Sequence, residues 1–179
     1  MSKEAKNKIG EILVTREQIR KRVIVLGKNI SQDYKDKNPL LVGILRGAFV
    51  FLADLMRNIT IPCEIDFLSV TSYGLASESS GIVRIVQDLN TNIKGRHVIV
   101  VEDIVDSGQT LNYILNTLQQ RKPKSLNVCA LLDKKEARKT EVSLKYVGFT
   151  IPKKFVVGYG LDCAEKWRHL PYVAAVLNK

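Results

Sequence analysis

Apolar positions recur along this chain in two rhythms. After Thr15 they fall at helical spacing, with Ile19, Val23, Leu26, Ile30 and Tyr34 forming one stripe. Thr15-Arg16-Glu17-Gln18 has the form of a capping box, in which the threonine and glutamine side chains satisfy each other's backbone N–H groups, so a first amphipathic helix should start there. Arg16, Arg20, Lys21 and Arg22 fall on its polar side, and Asp36-Lys37-Asn38-Pro39 ends it. The second rhythm is a set of short, unbroken apolar runs: Leu40 to Leu45, Val98 to Val101, Ser125 to Leu132 and Phe155 to Tyr159. Runs of this kind mark strands covered on both faces, which belong to parallel sheets. Cys63 to Tyr73 and Ile82 to Val86 also read as strands, the first alternating too weakly to assign faces. Helices are expected from Phe49 to Arg57 and from Thr110 to Gln120. Strand, turn and helix thus alternate, and the pattern predicts an α/β fold built on a parallel sheet with flanking helices.

Length and charge narrow the picture. The chain has 179 residues with 45% hydrophobic content, enough for one well-cored domain spanning 1–179. No run reaches the roughly 18 apolar residues of a membrane span, and Met1-Ser2-Lys3-Glu4-Ala5-Lys6 lacks the apolar core of a signal peptide, which implies a cytoplasmic protein without a membrane partner. Cys63, Cys129 and Cys163 are odd in number and widely spaced, suggesting neither a disulfide framework nor a zinc site. A net charge of +10 and a pI near 9.6 favour polyanionic partners. The basic residues are scattered over 16–22, 121–124, 134–139 and 153–154, which fits either a generally basic surface or a site for a multiply phosphorylated small molecule better than a nucleic-acid tail.

Candidate chemistry gathers where the strands end. Val98-Ile99-Val100-Val101 stops at Glu102 and Asp103, and Asp106 precedes Ser107-Gly108-Gln109-Thr110, where a helix opens. A small-residue turn at a helix start offers backbone N–H groups and the positive end of the dipole to a phosphate. Ser107 and Thr110 add hydroxyls, while adjacent carboxylates suit sugar hydroxyls or a magnesium-bound sugar. A sugar phosphate satisfies both halves; the same residues are also consistent with solvated strand ends and an ordinary turn. Neither G-x-G-x-x-G nor a Walker A Gly-Lys-Ser/Thr is present in this turn, because Gly108 is followed by Gln109. Leu40 to Leu45 runs likewise into Arg46-Gly47-Ala48, where Arg46 is an anion ligand candidate beside a glycine. Between Tyr73 and Ile82 lies Gly74-Leu75-Ala76-Ser77-Glu78-Ser79-Ser80-Gly81, a lid or a plain hairpin loop.

The stretch Val100-Val101-Glu102-Asp103-Ile104-Val105-Asp106-Ser107-Gly108-Gln109-Thr110 resembles the 5-phosphoribosyl pyrophosphate (PRPP) signature of the type I phosphoribosyltransferases. From about Leu40 onward the chain is most similar to the hypoxanthine-guanine members of that family, in a compact bacterial form. The resemblance implies that fold, with a lid at about 73–82 and a small hood made mainly by 150–179. It implies purine salvage: a 6-oxopurine, hypoxanthine or guanine, becomes IMP or GMP with release of pyrophosphate, magnesium being the cofactor and a homodimer or homotetramer the assembly.

By matched position, Glu102 and Asp103 hold the ribose and a magnesium ion, Asp106 is the catalytic base toward purine N7, and Asp106, Ser107, Gly108, Gln109, Thr110 and Leu111 line the PRPP phosphate pocket. Arg46, Gly47, Ser72, Tyr73 and Arg168 match the pyrophosphate site, with a non-proline cis peptide between Leu45 and Arg46. Lys134, Phe155 and Val156 match the purine pocket, which Asp162 joins while holding a second magnesium through water. The alternatives are a phosphoribosyltransferase for xanthine or another base, and a non-enzymatic PRPP sensor that binds nucleic acid. His97 and His169 are given no role.

Overall fold

The computed structural model describes residues 8–73 and 82–177. The proposed lid, 74–81, lies outside the described residues. The capping box forms as the sequence requires: Thr15 Oγ1 accepts from Gln18 N–H, and Gln18 Oε1 accepts from Thr15 N–H at 2.8 Å. Helix α1 (Arg16–Asp33) follows, and Ile19, Val23, Leu26 and Ile30 bury their stripe with Tyr34 just beyond its end. Arg22 departs from the expected wet face. Its guanidinium is part-buried and donates to the carbonyls of Gly148 and Val147 at 3.0 and 2.6 Å, stitching α1 to the sheet.

A strand, β1 (Lys8–Val14), precedes this helix, and after it come β2 (Leu40–Leu45), α2 (Phe49–Arg57), β3 (Glu64–Tyr73), β4 (Ile82–Gln87), β5 (His97–Val105), α3 (Gln109–Gln119) and β6 (Ser125–Asp133). After a single 3-10 turn at Lys135–Ala137 come β7 (Tyr146–Thr150), β8 (Val156–Val157) and β9 (Val173–Leu177). The main sheet has the order β4-β3-β2-β5-β6-β7. It is parallel from β3 to β7, and β4 runs antiparallel on the β3 edge, so the sheet is mostly rather than wholly parallel. Helices α1 and α2 pack their apolar faces against Ile99 and Val101 on one side. Leu111, Ile114 and Leu118 of α3 pack against Val98 and Val100 on the other.

Two expectations need correction. Strand β5 does not stop at Val101; β6 runs beside it as far as Val105, paired with Asp133, and the ladder carries Glu102 and Asp103 inside the strand. The Phe155 to Tyr159 run contributes only two residues to a strand, because positive φ at Gly158 and Tyr159 turns the chain out of it. Beside the main sheet stands a separate antiparallel sheet of order β1-β9-β8, in which two strands from 150–179 are joined by β1 from 8–14.

Candidate active site

Strand β2 continues into β3 on one side of the sheet, and β5 continues into β6 on the other. Their shared border is therefore the switch point of the topology, where side-by-side connections part and leave a crevice beyond the strands' carboxyl ends. A cleft of about 610 Å³ opens there. Arg46 and Gly47 reach it from the end of β2, Asp103 and Asp106 from β5, Lys134 from β6, and Phe155, Val156, Asp162 and Arg168 from the hood. Four chain segments far apart in sequence thus bring together Arg46, Gly47 and Arg168, Asp103 and Asp106, and Lys134, Phe155, Val156 and Asp162, while Glu102 is not among the residues lining the cleft.

Burial governs the acids. Glu102 is buried, one of its carboxylate oxygens has no hydrogen-bond partner, and burial followed by the neighbouring Asp103 pushes its pKa well above the usual range. Asp103 is raised to about 6, chiefly by burial; the N–H of Ile104, its own N–H and Arg168 pull the other way, and Asp162 adds to the rise. Close approach is enforced at Gly47: a Cβ there would lie 1.6 Å from Asp103 Oδ2, so only glycine lets the β2 turn pass the carboxylate. The peptide bond between Leu45 and Arg46 is cis.

Charge pairing links the outer walls. Lys134 Nζ lies 2.6 Å from Asp106 Oδ2, the lysine side chain 7% exposed and the aspartate 54%. Arg168 lies 2.8 Å from Asp162 Oδ1 and donates to the carbonyl of Gly160. Glu165, which the sequence reading did not single out, meets Arg46 at 2.5 Å and Arg168 at 3.5 Å. Nothing in its neighbourhood along the chain marks it; the backbone has positive φ at Ala164 and Glu165, which turns it toward the arginines. Phe155 is 37% exposed and lines the cleft.

The turn after β5 has the form expected of a phosphate cradle. Gly108 adopts φ 80°, a left-handed conformation that glycine takes without strain, and itself offers α3 no side-chain cap; the first helical N–H, that of Gln109, donates to Ser107 Oγ at 3.4 Å. Gln109 is exposed, while the Leu111 side chain turns into the core, so only its backbone could serve a phosphate. Ser72 and Tyr73 belong to β3 by their backbone, and their side chains lie outside the described residues. The site's hard oxygen donors, suited to a divalent cation, are Glu102, Asp103 and Asp162.

Residues 11–164 match the model of the phosphoribosyl transferase domain. The chain is 51% identical to a hypoxanthine-guanine phosphoribosyltransferase of Dictyostelium discoideum, over 91% of this chain and 93% of that one. The chain belongs to the hypoxanthine-guanine phosphoribosyltransferases. A second relative of the same name, from Bacillus subtilis, is 44% identical over 96% of this chain and 95% of its own length. Among solved structures, a hypoxanthine-guanine phosphoribosyltransferase of Bacillus anthracis, with a HEPES molecule in its active site, superposes with TM-score 0.90 at 45% identity, covering 95% of this chain and all of that one. In this phosphoribosyltransferase the family's signature stretch coincides with the end of β5 and the start of α3, at the cleft that the topology singles out.

Proposed function

We propose that this protein transfers the 5-phosphoribosyl group from PRPP to hypoxanthine or guanine, yielding IMP or GMP and pyrophosphate in purine salvage. The observation that carries the reading is the convergence, in one cleft at the switch point, of Asp103, of Lys134 beside Asp106, and of the part-exposed Phe155 ring. A purine carries no charge, so its pocket uses a ring face and directed hydrogen bonds: Phe155 supplies the face and Lys134 a donor for the 6-oxo group. The cradle at Ser107–Thr110 takes the 5′-phosphate.

In the reaction the bond from ribose C1′ to pyrophosphate oxygen breaks, its electron pair leaving with pyrophosphate, and a bond from C1′ to the purine nitrogen forms. Positive charge develops on the sugar, and the carboxylate of Asp106 both faces that charge and takes the proton released from N7. Arg46 and Arg168 meet the departing anion. Magnesium fits the donor set, since Glu102 carries an unpartnered buried oxygen next to Asp103, and Asp103 and Asp162 both line the cleft. Among the described residues no three such side chains form a ready cage, so substrate oxygens and water would complete the coordination. Bound there, magnesium would neutralise diphosphate charge. The reading also takes the protein to be a cytoplasmic homodimer or homotetramer.

Incubation with magnesium, PRPP and each of hypoxanthine, guanine, xanthine and adenine tests the proposal, with nucleotide expected from the first two. Asp106→Asn should bind PRPP nearly normally and turn over about 10² to 10⁴ times more slowly. Undiminished turnover would refute the proton-acceptor role.

A further inference from the structure

Beyond the cleft, the segment from Lys135 to Val142 lies against the back of the phosphate turn. The N–H groups of Lys139 and Thr140 both donate to the carbonyl of Ser107, at 2.9 and 3.1 Å. Thr140 O lies where a Cβ on Gly108 would come within 2.4 Å, so segment and turn are in direct backbone contact. What fixes the segment is an ion pair. Arg138 Nη2 lies 2.6 Å from Asp133 Oδ1 at the end of β6, with the carboxylate side chain 2% exposed, and Arg138 Nη1 donates to the carbonyl of Val142 at 3.2 Å. One guanidinium therefore joins the sheet to both ends of the short stretch that grips Ser107. Neither Arg138 nor Asp133 lines the catalytic cleft; they border a separate hollow on the outer side.

We propose that Arg138, held by Asp133, is a positioning residue for the 5′-phosphate: it clamps residues 138–142 onto the Ser107–Gly108 turn and so sets the geometry of the phosphate cradle without touching substrate. The inference rests on the functional reading above. Its chemical signature is selectivity, because a distorted cradle weakens ligands that carry the 5′-phosphate and leaves untouched those that bind through base and ribose alone. A clamp important only for folding would weaken both or neither.

The experiment compares IMP with inosine, which differ by that phosphate, in calorimetric titrations of the full chain. Wild type should prefer IMP. Arg138→Met should lose on the order of tenfold to a hundredfold in affinity for IMP, the scale of a misplaced binding group, with inosine changed less than about twofold. KM for PRPP should rise while kcat at saturation is largely retained, and Arg138→Lys should recover part of the loss. Arg138→Met leaves Asp133 buried and unpaired, which can cost folding by itself. The double variant Asp133→Leu/Arg138→Met removes both charges and should regain the urea midpoint while keeping the IMP defect. An unchanged ratio of IMP to inosine affinity in either variant, or its full recovery in the double variant, would overturn the clamp. A wild type that binds IMP no better than inosine would overturn the functional reading itself and the clamp with it.

Discussion

Asp103 is where this site's chemistry and its stability oppose each other most directly. Its pKa rises from 3.8 to about 6 on folding, mainly because the carboxyl is buried. An acid whose folded pKa lies above its unfolded value is destabilised by ionisation. Well below pH 4 both states hold the proton and no cost exists; between about 4 and 6 the unfolded chain releases it first, and the folded state loses stability as pH rises. Above 6 the full cost applies, about two units at 1.36 kcal/mol each, or about 3 kcal/mol. Asp103→Asn removes the charge while an amide oxygen can still accept from Ile104 N–H, the bond that Asp103 Oδ1 now takes at 2.9 Å. In EDTA-treated protein we therefore expect the variant to exceed wild type by about 3 kcal/mol at pH 7.5 and only about 1 kcal/mol at pH 4.5. Urea denaturation at the two pH values measures this, and enzymatic turnover should fall in the same variant. An equal gain at both pH values, or a less stable variant at pH 7.5, would refute the argument.

Three further substitutions probe separate parts. Gly47→Ala would place a Cβ on the Asp103 carboxylate, and should lower kcat/KM for PRPP by about a hundredfold in steady-state kinetics; a value within twofold of wild type would contradict the close-approach argument. Phe155→Ala removes a stacking face of about 1 kcal/mol and should raise KM for hypoxanthine roughly fivefold with KM for PRPP unchanged. Thr15→Ala breaks the capping box far from the cleft, so it should cost about 1 kcal/mol in urea denaturation and leave turnover as it was.

The parts legible in the sequence are those whose signal is local. The α1 cap and stripe, the apolar runs of β2, β5 and β6, and the acid-rich turn after β5 each declare themselves within a dozen residues. Strand β3 reads poorly for a physical reason: Asp66 is buried in it, its two carboxylate oxygens accepting from the N–H groups of Phe67 and Thr91, while Ile65 and Phe67 stand 37% exposed. A satisfied buried acid among exposed apolar neighbours inverts the alternation on which strand faces are assigned. Strands β1 and β9 escape because each makes sense only beside the other, Lys8 pairing with Leu177 at the far end of the chain.

The site shows the same division, and it explains why part of the machinery has no motif. The β5 turn was legible because phosphate binding needs consecutive small residues before a helix, a requirement written along the chain. Glu165, Asp133 and Arg138 act across it. The carboxylate of Glu165 matters only because the hood folds over Arg46, 119 positions earlier. Arg138 matters only because β6 leaves Asp133 buried next to the segment that grips Ser107. For β5 the error in its end has the same origin: parallel pairing with β6 holds Glu102 and Asp103 within the ladder, although their charge signals a strand already left behind. Asp103 is tolerated at this end of a buried sheet because it borders the cleft at the switch point, so the break in local pattern and the candidate site coincide there.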